Sequence, residues 1–290
     1  MLTRELHTTP KRWSSADAFR VCEELAYRHY ENFPVASWLI PKAQRKYVAA
    51  LYSFARTADD FADEPGYSVA ERIENLRRWE ERLANCYEGT ASHPIFVALA
   101  ETVERFQIPQ QLFLDLLSAF RQDVTINRYE TFDELLAYCQ RSANPVGRLI
   151  LLLFNYRSEQ LFEQSDAICA ALQLTNFLQD VSVDMKTNRI YIPQEDFAEY
   201  EYTELDLQNR TVNQAFRMLM ESQVRRTEEL FAQGRPLLDA VGTDLRRELR
   251  LTWHGGMEIL KKIRNAQFDV LSARPKLSAF DKLRLLVVSL

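Results

Sequence analysis

The chain has 290 residues, 47% of them hydrophobic, with 41 acidic against 36 basic side chains and a net charge of −5. That balance argues against a nucleic-acid binder, which would show a basic face. Only 7 glycines and 10 prolines leave too few turns for an all-β chain, and no strand–helix alternation with Gly-rich loops is present. The composition predicts one all-α domain over 1–290.

The opening MLTRELHTTPKRW lacks the apolar core of a signal peptide. No run of 18 apolar residues follows anywhere, so the expected location is cytoplasmic, with peripheral contact at the inner membrane face as an alternative. Prolines punctuate segments of helical length, predicting helices near 15–31, 42–64, 68–88, 94–107, 110–122, 131–142, 145–155, 158–185, 211–233, 236–254 and 256–273. The polar stretch 186–210 reads as a loop with a short helix. The apolar tail LRLLVVSL reads either as the end of a packed helix or as a lipid contact. Cys22, Cys86, Cys139 and Cys169 show no CxxC spacing and read as buried thiols. Arg77–Arg78 and Arg225–Arg226 read as solvated helix faces.

Two acidic stripes carry the chemistry. At 100° per residue, Tyr52, Arg56, Asp59 and Asp63 fall within about 60° of one another. Gln173, Asn176, Asp180 and Asp184 fall within roughly 80° on a helix otherwise rich in Leu, Phe and Val. A wet surface is the usual place for such an aspartate pair, where like charges cost only a few tenths of a kcal/mol. In apolar surroundings the same pair would cost several kcal/mol without a counter-charge, and a cation removes that cost. Carboxylate and amide oxygens are hard ligands that suit Mg²⁺ rather than zinc. Asp59, Asp63, Asn176, Asp180 and Asp184 are therefore the candidate metal ligands.

Arg56 and Arg189 could fork onto a diphosphate, although Arg56 could equally bridge Asp59 or Asp60. Tyr52, Tyr129, Tyr138 and Tyr191 are open to two readings, core packing or contact with substrate. The same holds for His29, which starts HYENFPVAS and could instead be a packed or capping residue. Phe33, Phe54, Val146, Leu149, Leu153 and Leu172 could line an apolar chamber or simply fill a core.

These motifs resemble those of the squalene/phytoene synthase family over nearly the whole length. The first aspartate-rich motif matches Asp59-Asp60-Phe61-Ala62-Asp63, preceded by Tyr52 and Arg56. The second matches Asn176, Asp180 and Asp184, followed by Arg189 and Tyr191. ENFPVAS, ARTADDFADE and RSANPVGRL resemble the members that make hydroxysqualene in bacterial hopanoid pathways. Ala55 stands where Cys is frequent, Asn144-Pro145 where many carotenoid-forming members have Gly-Thr or Gly-Ala, and Asn188 where Gly or Glu is common. The resemblance implies a class I isoprenoid synthase fold, a single helical bundle in which two acidic helices face each other across a central cavity. It implies Mg²⁺ as cofactor, Tyr52, Arg56, Arg189 and Tyr191 as catalytic residues, and His29, Phe33, Tyr129, Asn144 and Gln173 as substrate-binding residues. The implied reaction, that of a carbon–oxygen lyase, converts presqualene diphosphate and water to hydroxysqualene and diphosphate, with Tyr52, Tyr129 and Asn144 as the candidates to position that water. The alternatives are head-to-head joining of two farnesyl diphosphates, a terpene cyclase, or an inactive helical binding protein.

Overall fold

The computed structural model describes residues 13–28, 40–63 and 66–289, and every regular element among them is helical. The chain forms two compact units. The first holds α1 (Ser15–Arg28), α2 (Lys42–Asp63), α3 (Val69–Tyr87), α4 (Pro94–Phe106) and nearly all of α5 (Gln111–Thr125). Local chemistry sets the helix starts. Ser68 and Glu71 form a reciprocal capping box on α3, and Pro94 opens α4, where a missing N–H costs nothing.

The core of this unit is built on Phe54, which is fully buried. Its ring lies 5.0 Å from Phe113, 5.9 Å from Phe96 and 6.1 Å from Trp79, and Trp79 Nε1 donates to the Phe54 carbonyl at 3.3 Å. Phe54 is thus a core residue, not a chamber wall. The same burial leaves the opposite face of α2, with Arg56 and Asp59, partly open.

The second unit comprises α6 (Phe132–Ser142), most of α7 (Asn144–Leu153), α8 (Glu159–Asp184), a 3₁₀ turn (Met185–Thr187), α9 (Gln194–Glu199), α10 (Glu204–Gln208), α11 (Gln214–Gly234), α12 (Leu237–Ala240), α13 (Thr243–Asn265) and α14 (Ala279–Ser289). Helix α8 is packed by α6, α11 and α13. Glycines permit close approaches. A Cβ on Gly147 would sit 2.3 Å from Ser165 Oγ, and one on Gly256 would sit 2.4 Å from Phe231 Cζ.

That second contact explains a difference from the sequence reading. The sequence reading ends one helix at 254 and begins another at 256, yet α13 runs through both positions without interruption. Gly256 is there to admit Phe231, and packing outweighs its helix propensity. Helix α13 also stops at Asn265, short of the expected 273, and α14 emerges from the tail. The 186–210 stretch contains two short helices rather than one.

Arg77 and Arg78 are half-exposed and pair with Glu74 and Glu81, as expected of a solvated face. Arg226 is not on such a face. It clasps Asp196, which is fully buried and also accepts from Gln223 Nε2 at 2.8 Å. All four cysteines are free thiols, and burial pushes each up to about 12. They are inert at neutral pH.

Candidate functional site

On α2 the acidic stripe is assembled as its spacing predicts. Arg56 Nη1 lies 3.2 Å from Asp59 Oδ2 and Arg56 Nη2 lies 2.6 Å from Asp60 Oδ1. The guanidinium therefore bridges both aspartates, while Asp63 is exposed at the helix end. Tyr52 is half-buried one turn earlier. Burial raises its phenol above the ordinary 10, against the pull of Arg56.

On α8 the second stripe ends the helix. Thr175, on the far side, is buried and back-bonded to the Ala171 carbonyl at 2.7 Å. Asn176 is exposed, while Gln173, Asp180 and Asp184 are partly buried. The two aspartates behave differently. Asp180 is gripped by both edges of the Arg274 guanidinium, Nη2 to Oδ2 at 2.9 Å and Nε to Oδ1. Asp184 is pushed up to about 7, first by burial and then by the Asp180 charge, with Arg189 and Arg274 pulling the other way.

The segment after α8 is fixed by contacts that begin far away in sequence. Asn188 closes the 3₁₀ turn with φ 59°, a left-handed conformation that Asn tolerates better than most residues. Arg128 donates to the Asn188 carbonyl at 2.7 Å and to its Oδ1 at 3.1 Å, and is itself held by Glu204 at 2.7 Å. Ile190 N–H donates to the Asn127 carbonyl at 3.0 Å. With the backbone pinned, Tyr191 stacks flat on Phe177, centroids 3.6 Å apart, with Tyr129 at 6.0 Å and Tyr138 at 6.3 Å. Tyr129 and Tyr138 are buried. A small cleft beside this stack is lined by Val181, Asp184, Arg189 and Tyr191.

Asn144 starts α7 and is only 7% exposed, and its Oδ1 has no hydrogen-bond partner among the described residues. Of the six apolar wall candidates, Leu149 and Leu153 are buried, Leu172 touches the Gly256 position and Val146 is 45% exposed. His29 and Phe33 lie outside the described residues. Sequence reading missed Arg274 and Arg128. Their partners lie 94 and 60 residues away, and no local pattern signals either pairing.

Among the described residues no three acid, His or Cys side chains converge into a ready-made metal cage. The donors nonetheless suit a hard dication. Asp180 and Asp184 stand one turn apart in a partly buried place, where burial and then the Asp180 charge raise Asp184. A cation there would offset that charge, and Asn176 adds a third oxygen one turn away.

The squalene/phytoene synthase family model matches residues 26–281. The phytoene synthase of Arthrospira platensis is 31% identical, covering 92% of this chain and 91% of that protein. The hydroxysqualene synthase of Rhodopseudomonas palustris is 40% identical, covering 71% of this chain and 70% of that protein. The crystal structure of squalene synthase HpnC from Alicyclobacillus acidocaldarius matches with a TM-score of 0.84 and 36% identity, covering 88% of this chain and 95% of that one. With its helical fold, its two aspartate-bearing helices and these relatives together, the chain belongs to the squalene/phytoene synthase family of isoprenoid enzymes.

Proposed function

We propose that this protein converts presqualene diphosphate and water to hydroxysqualene and diphosphate, with Mg²⁺ as cofactor, in a hopanoid-type route. The observation that carries the reading is the Asp180–Asp184 pair, one carboxylate clasped by Arg274 and the other driven toward its neutral form. The identity to the hydroxysqualene synthase, 40% against 31% for the phytoene synthase, supports the choice of reaction.

Each acidic helix offers hard oxygens to Mg²⁺, Asp59 and Asp63 on α2 and Asn176, Asp180 and Asp184 on α8. When bound, Mg²⁺ supplies Lewis-acid withdrawal of charge from the departing diphosphate. Arg56, Arg189 and Arg274 add fixed positive charge for the same leaving group, preorganised by the aspartates they already contact or neighbour. The C–O bond breaks with both electrons on the diphosphate and leaves a cyclopropylcarbinyl cation. The Tyr191–Phe177 stack offers π faces suited to such a charge. Asn144, with its buried oxygen, is the group proposed to hold the water that adds to the rearranged cation. That water gives up one proton, taken up by the released diphosphate, to become the product hydroxyl.

The test is diphosphate release from presqualene diphosphate. EDTA and, separately, Asp180→Asn should each abolish it. Unchanged release in both would refute the metal mechanism.

A second reading, condensation of two farnesyl diphosphates, is favoured by the likeness to the squalene synthase structure, which covers 88% of this chain. It uses the same aspartates and differs in the substrate consumed.

A further inference from the structure

A non-helical strap, residues 272–277, joins α13 to α14 and is fixed at both ends. Before it, Val270 and Leu271 are buried, and Ser272 N–H donates to Asp269 Oδ1 at 2.9 Å. After it, Ser278 caps α14 by donating its N–H to Asp281 Oδ2 at 2.7 Å. Lys262 Nζ, 2.8 Å from Asp281, ties that end back to α13.

Between these anchors the strap meets the end of α8 through two neighbouring pairs. Gln179 Nε2 donates to the Pro275 carbonyl at 2.5 Å. Arg274 forks onto Asp180, Nη2 to Oδ2 at 2.9 Å and Nε to Oδ1. The first contact holds backbone, and the proline ring fixes φ at the residue it holds. The second is made by the end of a long side chain, which can swing while the backbone stays.

Asp180 is also one of the hard-oxygen donors assigned to Mg²⁺, so a guanidinium and a dication seek the same carboxylate. The Asp180 side chain is only 14% exposed, which leaves this pair less screened than an ordinary surface bridge. A dication that draws the Asp180 charge weakens the hold on Arg274, and a diphosphate is the better partner for a released guanidinium.

We propose that Gln179 is a positioning residue. It fixes the strap so that Arg274 reaches Asp180, where the guanidinium competes with Mg²⁺ and is handed to the diphosphate as the metal binds. This rests on the metal reading given above.

The test uses the full chain and reads binding without turnover. The Arg274 Nε–Hε signal in a ¹H–¹⁵N spectrum, assigned by its loss in Arg274→Gln, should shift when Mg²⁺ is added. Mn²⁺ affinity, read by electron paramagnetic resonance, should tighten about fivefold in Arg274→Gln. Affinity for magnesium diphosphate, read by calorimetry, should weaken about tenfold or more in the same variant. Gln179→Ala should move both affinities in the same two directions with Arg274 still in place. Arg77→Gln, on the solvated face of α3, should move neither. Far-UV circular dichroism checks the fold, and a merely damaged site would lose both affinities rather than exchange one for the other. An Arg274 that only orients the carboxylate would keep its signal in Mg²⁺, and its removal would weaken Mn²⁺ binding; either result would overturn the handover. Wild-type affinities in Gln179→Ala would overturn the positioning role. A wild-type chain that binds no Mn²⁺ would refute the metal reading itself, whereas bound metal with Arg274 unmoved would refute this inference alone.

Discussion

Glu248 on α13 is a partly buried acid with one oxygen, Oε2, lacking a hydrogen-bond partner among the described residues. Its other oxygen has only a long contact, 3.4 Å, from the Thr252 hydroxyl. Burial, opposed by that weak contact, raises it from the ordinary 4.5 to about 7. The folded chain therefore binds more protons than the unfolded chain between these values, and stability falls as pH rises through that window. Moving from 4.5 to about 7 corresponds to about 3 kcal/mol lost by pH 8, against roughly 1 kcal/mol at pH 5. Glu248→Gln cannot ionise and escapes the loss. The assay is urea unfolding of both proteins at pH 5 and pH 8, followed by circular dichroism and tryptophan fluorescence with coincident transitions. The stability advantage of Glu248→Gln should grow by about 2 kcal/mol between the two pH values. Any hydrogen bond the new amide makes shifts both by the same amount and cancels. An advantage that does not change with pH would refute the reasoning.

Gly256→Ala places a methyl 2.4 Å from Phe231 Cζ and 3.0 Å from Leu172 Cδ2, and should destabilise the chain by about 1–3 kcal/mol in the same assay despite the better helix propensity of alanine. Arg226→Ala strands the buried Asp196 carboxylate and should cost about 3–5 kcal/mol, lowering the thermal midpoint more than Arg77→Ala on the solvated face of α3. Arg128→Ala releases the Asn188 carbonyl and Oδ1, so hydrogen exchange of the amides of residues 188–191 should quicken while those of mid-α8 hold.

The acidic helices were legible because both pack one apolar face and expose a narrow polar stripe, a pattern the 3.6-residue period records directly. Boundaries set by capping chemistry, such as Ser68–Glu71 and Pro94, were legible for the same local reason. Periodicity does not say what a stripe faces, so Phe54 fits a chamber wall and an aromatic core equally well until Trp79, Phe96 and Phe113 are placed around it. The helix boundary expected at 254–256 is absent because Gly256 admits Phe231 from another helix, a contact no local pattern records. Arg226 sits next to Arg225 and reads as surface charge, but its partner Asp196 is 30 residues away and buried. Arg274 and Arg128 were invisible for a related reason, since each acts on a residue that only the tertiary structure brings near.

The most direct measurement supplies presqualene diphosphate alone, then farnesyl diphosphate alone, each with Mg²⁺ and without a nicotinamide reductant, and identifies products by mass spectrometry. Hydroxysqualene and diphosphate from the first, with the second left unchanged, are the expected result. Consumption of farnesyl diphosphate with presqualene diphosphate inert would contradict the proposed reaction and leave the condensing one.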